Sequence, residues 1–367
     1  MKKFLILFAV LIFANITNAQ VVITDDITSN TTWTANNEYI LDGLIFVDST
    51  YTLTIEAGTV IKAREQANIT TGDGASALII RRGAKLIADG TAQNPIIFTS
   101  EFDDIANPND LLPTDRELWG GLILLGSAVT NQPDNNTQVE GIPLTENARY
   151  GGDNDDDDSG ILRYISIRHG GFSISGIPGD EINGLTMGGV GRGTVIEHIE
   201  VYANKDDGYE WFGGTVNCKW LVAAMCGDEC FDWDQGYRGK GQFWFGIMPD
   251  DEAGKGMEMD GGDDDETGLP YAEPTVVNLT LIGAGVGNTP GGDQNELALH
   301  LRDNSGGHFY SSVVTDFVAD GIVIEDLTSG QDSRQRLEDG ELTIEHVYWW
   351  NFGVTNVLDS IAKQDFV

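Results

Sequence analysis

The sequence predicts an all-β protein, a single-stranded right-handed parallel β-helix (β-solenoid) with coils of about 22–26 residues, and three observations carry that expectation. Asp206-Asp207-Gly208-Tyr209-Glu210-Trp211 reappears 22 residues later as Asp228-Glu229-Cys230-Phe231-Asp232-Trp233. An apolar-x-apolar triplet recurs at Leu185-Thr186-Met187, Tyr209-Glu210-Trp211, Phe231-Asp232-Trp233, Met257-Glu258-Met259, Leu299-His300-Leu301 and Ile322-Val323-Ile324. Short β-rich runs are punctuated by Gly, Asp and Asn, and no stretch reads as a long amphipathic helix with caps.

The repeat extends to the strands upstream of it. Ile196, Ile199 and Val201 shift onto Cys218, Leu221 and Ala223, so one coil carries at least two short strands. Within a triplet the two flanking residues point one way and the middle residue the other. The flanking residues are all large and apolar, so they form the interior, stacked coil upon coil. Each such side chain contributes about 1.5–3 kcal/mol when fully buried, and a charge in place of Trp233 is expected to break the stack.

The chain opens with Lys2 and Lys3, an apolar run from Phe4 to Phe13, and the small residues Thr17-Asn18-Ala19, which reads as a signal peptide over residues 1–19. That run is shorter than the roughly 20 residues a membrane span needs, and no later segment reaches that length. The expected address is secreted, extracellular or outer cell surface. Residues 20–367 are expected to form one β-helix domain with acidic loop insertions near 150–160 and 248–270. Without Lys2 and Lys3 the formal charge moves from −37 to about −39, 19 basic against 58 acidic residues. Such a field excludes nucleic acid as a partner, and it repels polyuronates unless cations bridge the two. The three cysteines cannot pair fully; Cys226 and Cys230 can close a small loop, whereas Cys218 and Cys230 fall where small buried residues serve.

A resemblance follows from particular segments. Leu53-Thr54-Ile55-Glu56-Ala57-Gly58-Thr59-Val60-Ile61, Leu78 through Thr91, and Asn94-Pro95-Ile96-Ile97-Phe98-Thr99 resemble the N-terminal coils of secreted right-handed parallel β-helix proteins with a pectin-lyase-like fold. Trp119 through Gly126, Asn183 through Val190 and Asp207 through Asn217 are similar to one branch of surface proteins that often carry tails for type IX secretion. The likeness covers roughly residues 40–350 and implies export and surface attachment, although no such tail is evident before Val367. The polygalacturonase pattern of the parent fold is not reproduced, since His169-Gly170 precedes the acidic coils, so no catalytic residue carries over.

The middle residues of the triplets form a second column, Thr186, Glu210, Asp232, Glu258, His300 and Val323, expected on the outer face. Coils lie about 4.8 Å apart, so adjacent carboxylates repel by about 1 kcal/mol in water and about 3.5 kcal/mol at an effective dielectric of 20. The bland reading is a solvated acidic stripe. Shared protons instead make Glu210, Asp232, Glu258 and His300 catalytic candidates, because adjacent coils approach the ~5–5.5 Å of a retaining glycosidase pair. A bound cation points to Ca2+, with Asp153, Asp155 and Asp157 in one acidic loop and Asp260, Asp263 and Asp265 in another as ligands.

Arg302 stands beside the column, and Arg238 or Lys240 can supply the base of a lyase. Tyr237, Trp244 and Tyr348-Trp349-Trp350 exceed what a narrow core absorbs, so Trp244 and Tyr237, with Arg302, are candidates for stacking on and binding sugars. The leading expectation is a non-catalytic, calcium-stabilised binder of polysaccharide or a cell-surface component. A polysaccharide hydrolase or lyase is the rival, and a structural adhesion spacer the third class.

Overall fold

The computed structural model describes residues 19–133, 137–139, 141–142, 145–174, 181–262, 266–289, 297–328, 331–353 and 362–366. Residues 1–18 of the signal peptide expected over 1–19, and Asp263 and Asp265 of the second acidic loop, lie outside the described residues. The chain winds as a right-handed parallel β-helix. Its strands fall into a 10-stranded and a 17-stranded sheet. Among the described residues, antiparallel pairing between strands is confined to Thr137–Gln138 with Arg149–Tyr150.

In the middle of the solenoid each coil lays down one short strand of the 10-stranded sheet and then one longer strand of the other, which the earlier and later coils replace by two short strands, as in Thr275–Val277 and Thr280–Ile282. Tyr209–Phe212 is followed by Asn217–Ala224, and Phe231–Asp234 by Lys240–Ile247. The triplets stack in the register the repeat demands: Leu185, Tyr209, Phe231, Met257, Leu299 and Ile322 are successive partners. From Leu185 to Tyr209, Phe231 and Met257 the coils take 24, 22 and 26 residues. The column continues backwards through Leu122, Leu78 and Ile45. All of these side chains are buried in one continuous core.

The longer strands are bent. Tyr164, His198, Trp220 and Phe243 occupy the left-handed region, with φ of 48°, 56°, 54° and 59°. Inward residues therefore fall at i, i+3 and i+5, as in Ile196, Ile199 and Val201 against Cys218, Leu221 and Ala223. A left-handed residue with a Cβ costs about 1–2 kcal/mol. Ring stacking offsets part of that cost, since Tyr164, His198 and Trp220 lie face to face at 4.3 Å between neighbours.

The outer face of the 10-stranded sheet changes character along its length. In the early coils it presents Phe46, Ile79 and Ile123, and a second apolar cluster roofs them with Val139, Ile142, Tyr150 and Ile182. From Ser127 to Gln132 the chain climbs across successive coils. Ala128 N–H donates to the Gly189 carbonyl at 2.8 Å, the Val129 carbonyl accepts from Gly214 N–H at 3.1 Å, and Asn131 N–H donates to the Gln235 carbonyl at 3.0 Å. The Asn131 amide then reaches the Gly261 carbonyl.

Candidate acidic trough

Beyond the apolar roof, Thr186, Glu210, Asp232, Glu258, His300 and Val323 stand side by side in register on the outer face. The solvated stripe is not what forms. Glu210, Glu258 and His300 are buried and Asp232 half-buried, because the turns before the strands bring their own acids alongside. The result is a trough of about 400 Å³ lined by Asp206, Asp207, Glu210, Asp228, Glu229, Asp232, Asp234, Glu258 and Asp260, with Phe212 and Arg302.

The turns are tied to one another through these acids. Asp207 Oδ1 accepts the Glu229 N–H at 2.9 Å, and one coil on, Glu229 Oε1 accepts the Lys255 N–H at 2.7 Å. Lys255 Nζ reaches Glu258 Oε2 at 2.6 Å and Glu229 Oε1 at 3.4 Å. Arg302 Nε stands 3.0 Å from Glu258 Oε1, and its guanidinium forms a bidentate pair with Asp260 at 2.7–2.9 Å. His300 Nδ1 lies 3.7 Å from Glu258 Oε1. At the other end, the Asn183 amide donates to Glu210.

Electrostatics divides the acids into two kinds. Burial opposes the ionisation of Glu258, but His300, Lys255 and Arg302 outweigh it and hold the carboxyl down to about 2. Among the described residues Asp232 has no such partner: burial, then Glu210 and Glu258, push its carboxyl well up. Burial with Glu181 and Glu229 raises Asp206 to about 7, and burial with Glu229 raises Asp228 to about 10. Asp260 also rises to about 7, since burial prevails over its Arg302 pair. Asp206 Oδ2 is buried without a hydrogen-bond partner among the described residues. Three triads, Asp207/Glu210/Asp232, Asp207/Asp228/Glu229 and Glu229/Asp232/Glu258, each bring carboxylate oxygens within 4.8 Å of one another.

The structure thus brings together Glu210, Asp232, Glu258, His300, Asp260 and Arg302. It does not bring in the other candidates. Asp155 is clamped by Arg238 at 3.2 Å and Arg192 at 3.4 Å, Asp157 accepts from Ser127 and Ser159 at 2.6 and 3.1 Å, and Asp153 is exposed. No metal-spaced triad among the described residues includes them. Arg238 belongs to this clamp and not to the trough, and Lys240 is exposed.

Trp244 and Tyr237 are corrected outright: both are buried in the core and present no face to a sugar. Trp244 stacks on Trp211 at 4.8 Å and gives its indole N–H to the Cys218 carbonyl at 3.2 Å, while the Tyr237 hydroxyl donates to Val216 at 2.9 Å. The core is wide enough because Cys218, Gly241, Ala223 and Gly246 keep the neighbouring inward positions small. Of the remaining aromatics, Tyr348 and Trp350 are exposed, at the far end of the solenoid. The three cysteines are free and buried, so Cys226 and Cys230 are unpaired.

Sequence reasoning missed Asp206, Asp207, Asp228, Glu229 and Lys255. The signal was present, because the same 22-residue repeat sets Asp228-Glu229 in the place of Asp206-Asp207, just ahead of each triplet.

Fold and site define a parallel β-solenoid with an acidic trough on one face. The chain matches the family described as pectate-lyase-like beta helix domain over residues 25–365, and it belongs to that family. Comparison with curated proteins and with solved structures gave no match. Among the described residues, no helix is long and apolar enough to cross a membrane.

Proposed function

We propose that this protein is a secreted or cell-surface β-helix that binds a polysaccharide along its acidic trough, with calcium held among the trough carboxylates, and that it does so without catalysis. The observation that carries the reading is the set of three overlapping carboxylate triads beside the unpartnered Asp206 Oδ2. Hard oxygen donors clustered at this density suit calcium, and Asp207, Glu210, Glu229 and Asp232 are the residues that would hold it. The family's pectate-lyase-like description supports a polysaccharide ligand. Nine carboxylates against Arg302 and Lys255 favour a neutral chain over a polyuronate, unless the cation bridges the two. Export rests on the leader read in the sequence.

Calorimetric titration with calcium, followed by neutral and acidic polysaccharides, tests this. Calcium binding that Asp232→Asn abolishes, with polysaccharide held and no new reducing ends, is the expected result. A protein that takes up neither calcium nor any polysaccharide sinks the reading.

One observation favours the hydrolase alternative. Glu258 is kept ionised by Lys255 and Arg302 while its register neighbour Asp232 has no cation among the described residues, which is the division of labour between base and acid in glycoside hydrolysis. Release of reducing ends that is lost in both Glu258→Gln and Asp232→Asn would replace the binding reading with this one.

A further inference from the structure

A second pocket of about 360 Å³ lies apart from the trough, between the loop bearing Asp103 and Leu111 and the ends of the strands Gly160–Arg168 and Val195–Tyr202. Its volume falls within the ~300–1,000 Å³ of small-molecule sites. The loop is fastened in place. Glu117 and Leu118 donate their N–H groups to the carbonyls of Gly170 and His169 at 2.8 and 3.0 Å, and Trp119 Nε1 donates to the Arg168 carbonyl at 2.7 Å.

His169 Nδ1 stands 2.6 Å from the Asp115 carbonyl oxygen. A carbonyl only accepts, so Nδ1 carries the proton and Nε2 of the neutral ring is left as an acceptor. Burial, which pushes the imidazole pKa down, keeps the ring in that form. Tyr202 packs edge-on against His169 with ring centres 5.6 Å apart, and its hydroxyl has no hydrogen bond among the described residues. Arg168 uses Nε on Ser166 Oγ at 2.7 Å, and its NH1 nitrogen stands 3.9 Å from Asp103. Glu200 gives one oxygen to Ser166 and Asp103 gives one to Thr99, at 2.6 and 2.7 Å, which leaves each a second oxygen.

Uncommitted donors and acceptors therefore sit side by side, while Ile105, Pro108 and Leu111 supply an apolar wall. Such a lining matches a ligand whose hydroxyls donate and accept at once and whose ring carries C–H groups between them. The carboxylates of Asp103, Asp104, Asp110 and Glu200 outnumber Arg168 and weigh against an anionic ligand. We propose that this pocket is a second carbohydrate site, which takes one or two residues of a neutral sugar independently of the trough.

Calorimetry on the whole chain tests it, with glucose, galactose, xylose, cellobiose and lactose as probes and galacturonate as the anionic control. At least one neutral probe is expected to bind and galacturonate to fail. Tyr202→Phe, which removes a single oxygen, is expected to weaken binding about fivefold, the worth of one hydrogen bond. Arg168→Gln is expected to weaken it further, and the trough variant Asp232→Asn to leave it unchanged. Thermal melts check folding, and Tyr202→Phe decides the matter if Arg168→Gln does not fold. No binding of any neutral probe, unchanged affinity in Tyr202→Phe, or loss of binding in Asp232→Asn overturns the proposal. A neutral sugar held here by a protein whose trough binds no polysaccharide leaves this site standing and removes the trough reading alone.

Discussion

At Lys255 a single buried ammonium serves two carboxylates, Glu229 and Glu258, and all three side chains are at most 10% exposed. Removing one partner of a buried ion pair strands the other charges and costs about 3–5 kcal/mol. Lys255→Met is therefore expected to lower stability by that amount in urea denaturation, and a loss below about 1 kcal/mol would show that the trough acids relax by other means. Asp232 illustrates what residue-level reading misses. The alternation of Phe231-Asp232-Trp233 assigns its side chain to the outer face correctly, but says nothing of the turns that stand over it. Trp244 fails for a related reason: bulk alone suggested exposure, whereas Gly241 and Gly246 on its own strand and Cys218 and Ala223 on the preceding coil open room inside.

Among the elements, the bent strands were half legible. The spacing of Ile196, Ile199 and Val201 breaks period two, and that break is the kink at His198. What the spacing does not reveal is the column of stacked rings on the outside of the bend. The strand Gly160–Arg168 begins where a side chain cannot fit: Gly160 has φ +119°, and a Cβ there would collide with the Leu86 carbonyl. Gly160→Ala is expected to destabilise the fold by about 1–3 kcal/mol, measurable as a lowered urea midpoint with unchanged slope. An unchanged midpoint would mean that the coil shifts freely at this point. The triplet strands were the most legible elements, since every register partner from Leu185 to Ile322 was readable from the repeat. The early coils were less so, because Phe46, Ile79 and Ile123 fill the middle positions with apolar residues and hide the alternation.

For the molecule as a whole, the trough sets the response to pH. Asp206 and Asp260 carry protons in the folded state up to about pH 7 and give them up near pH 4 when unfolded. The folded state then binds more protons, so their contribution is fully present below about pH 4 and is lost as pH rises through about 7. Glu258 runs the other way, losing its contribution only as pH falls through about 2, so it is constant across this range. The melting temperature in chelator is expected to fall by several degrees between pH 5 and pH 8, and saturating calcium to flatten that slope. A melting temperature that rises over the interval would contradict the charge distribution described for the trough.

The climbing segment from Ser127 to Gln132 changes what kind of array this is. Coils that touch only their neighbours melt piecemeal, and shortened versions survive. Here a cross-brace from an early turn grips carbonyls or amides at Gly189, Gly214, Gln235 and Gly261, so those levels share one fate. Cutting the chain after residue 225 would free the brace from its last two holds and leave Tyr150 without the Gln235 amide that receives its hydroxyl at 2.8 Å. Such a fragment is expected to unfold non-cooperatively or aggregate, whereas the intact chain shows one sharp calorimetric transition.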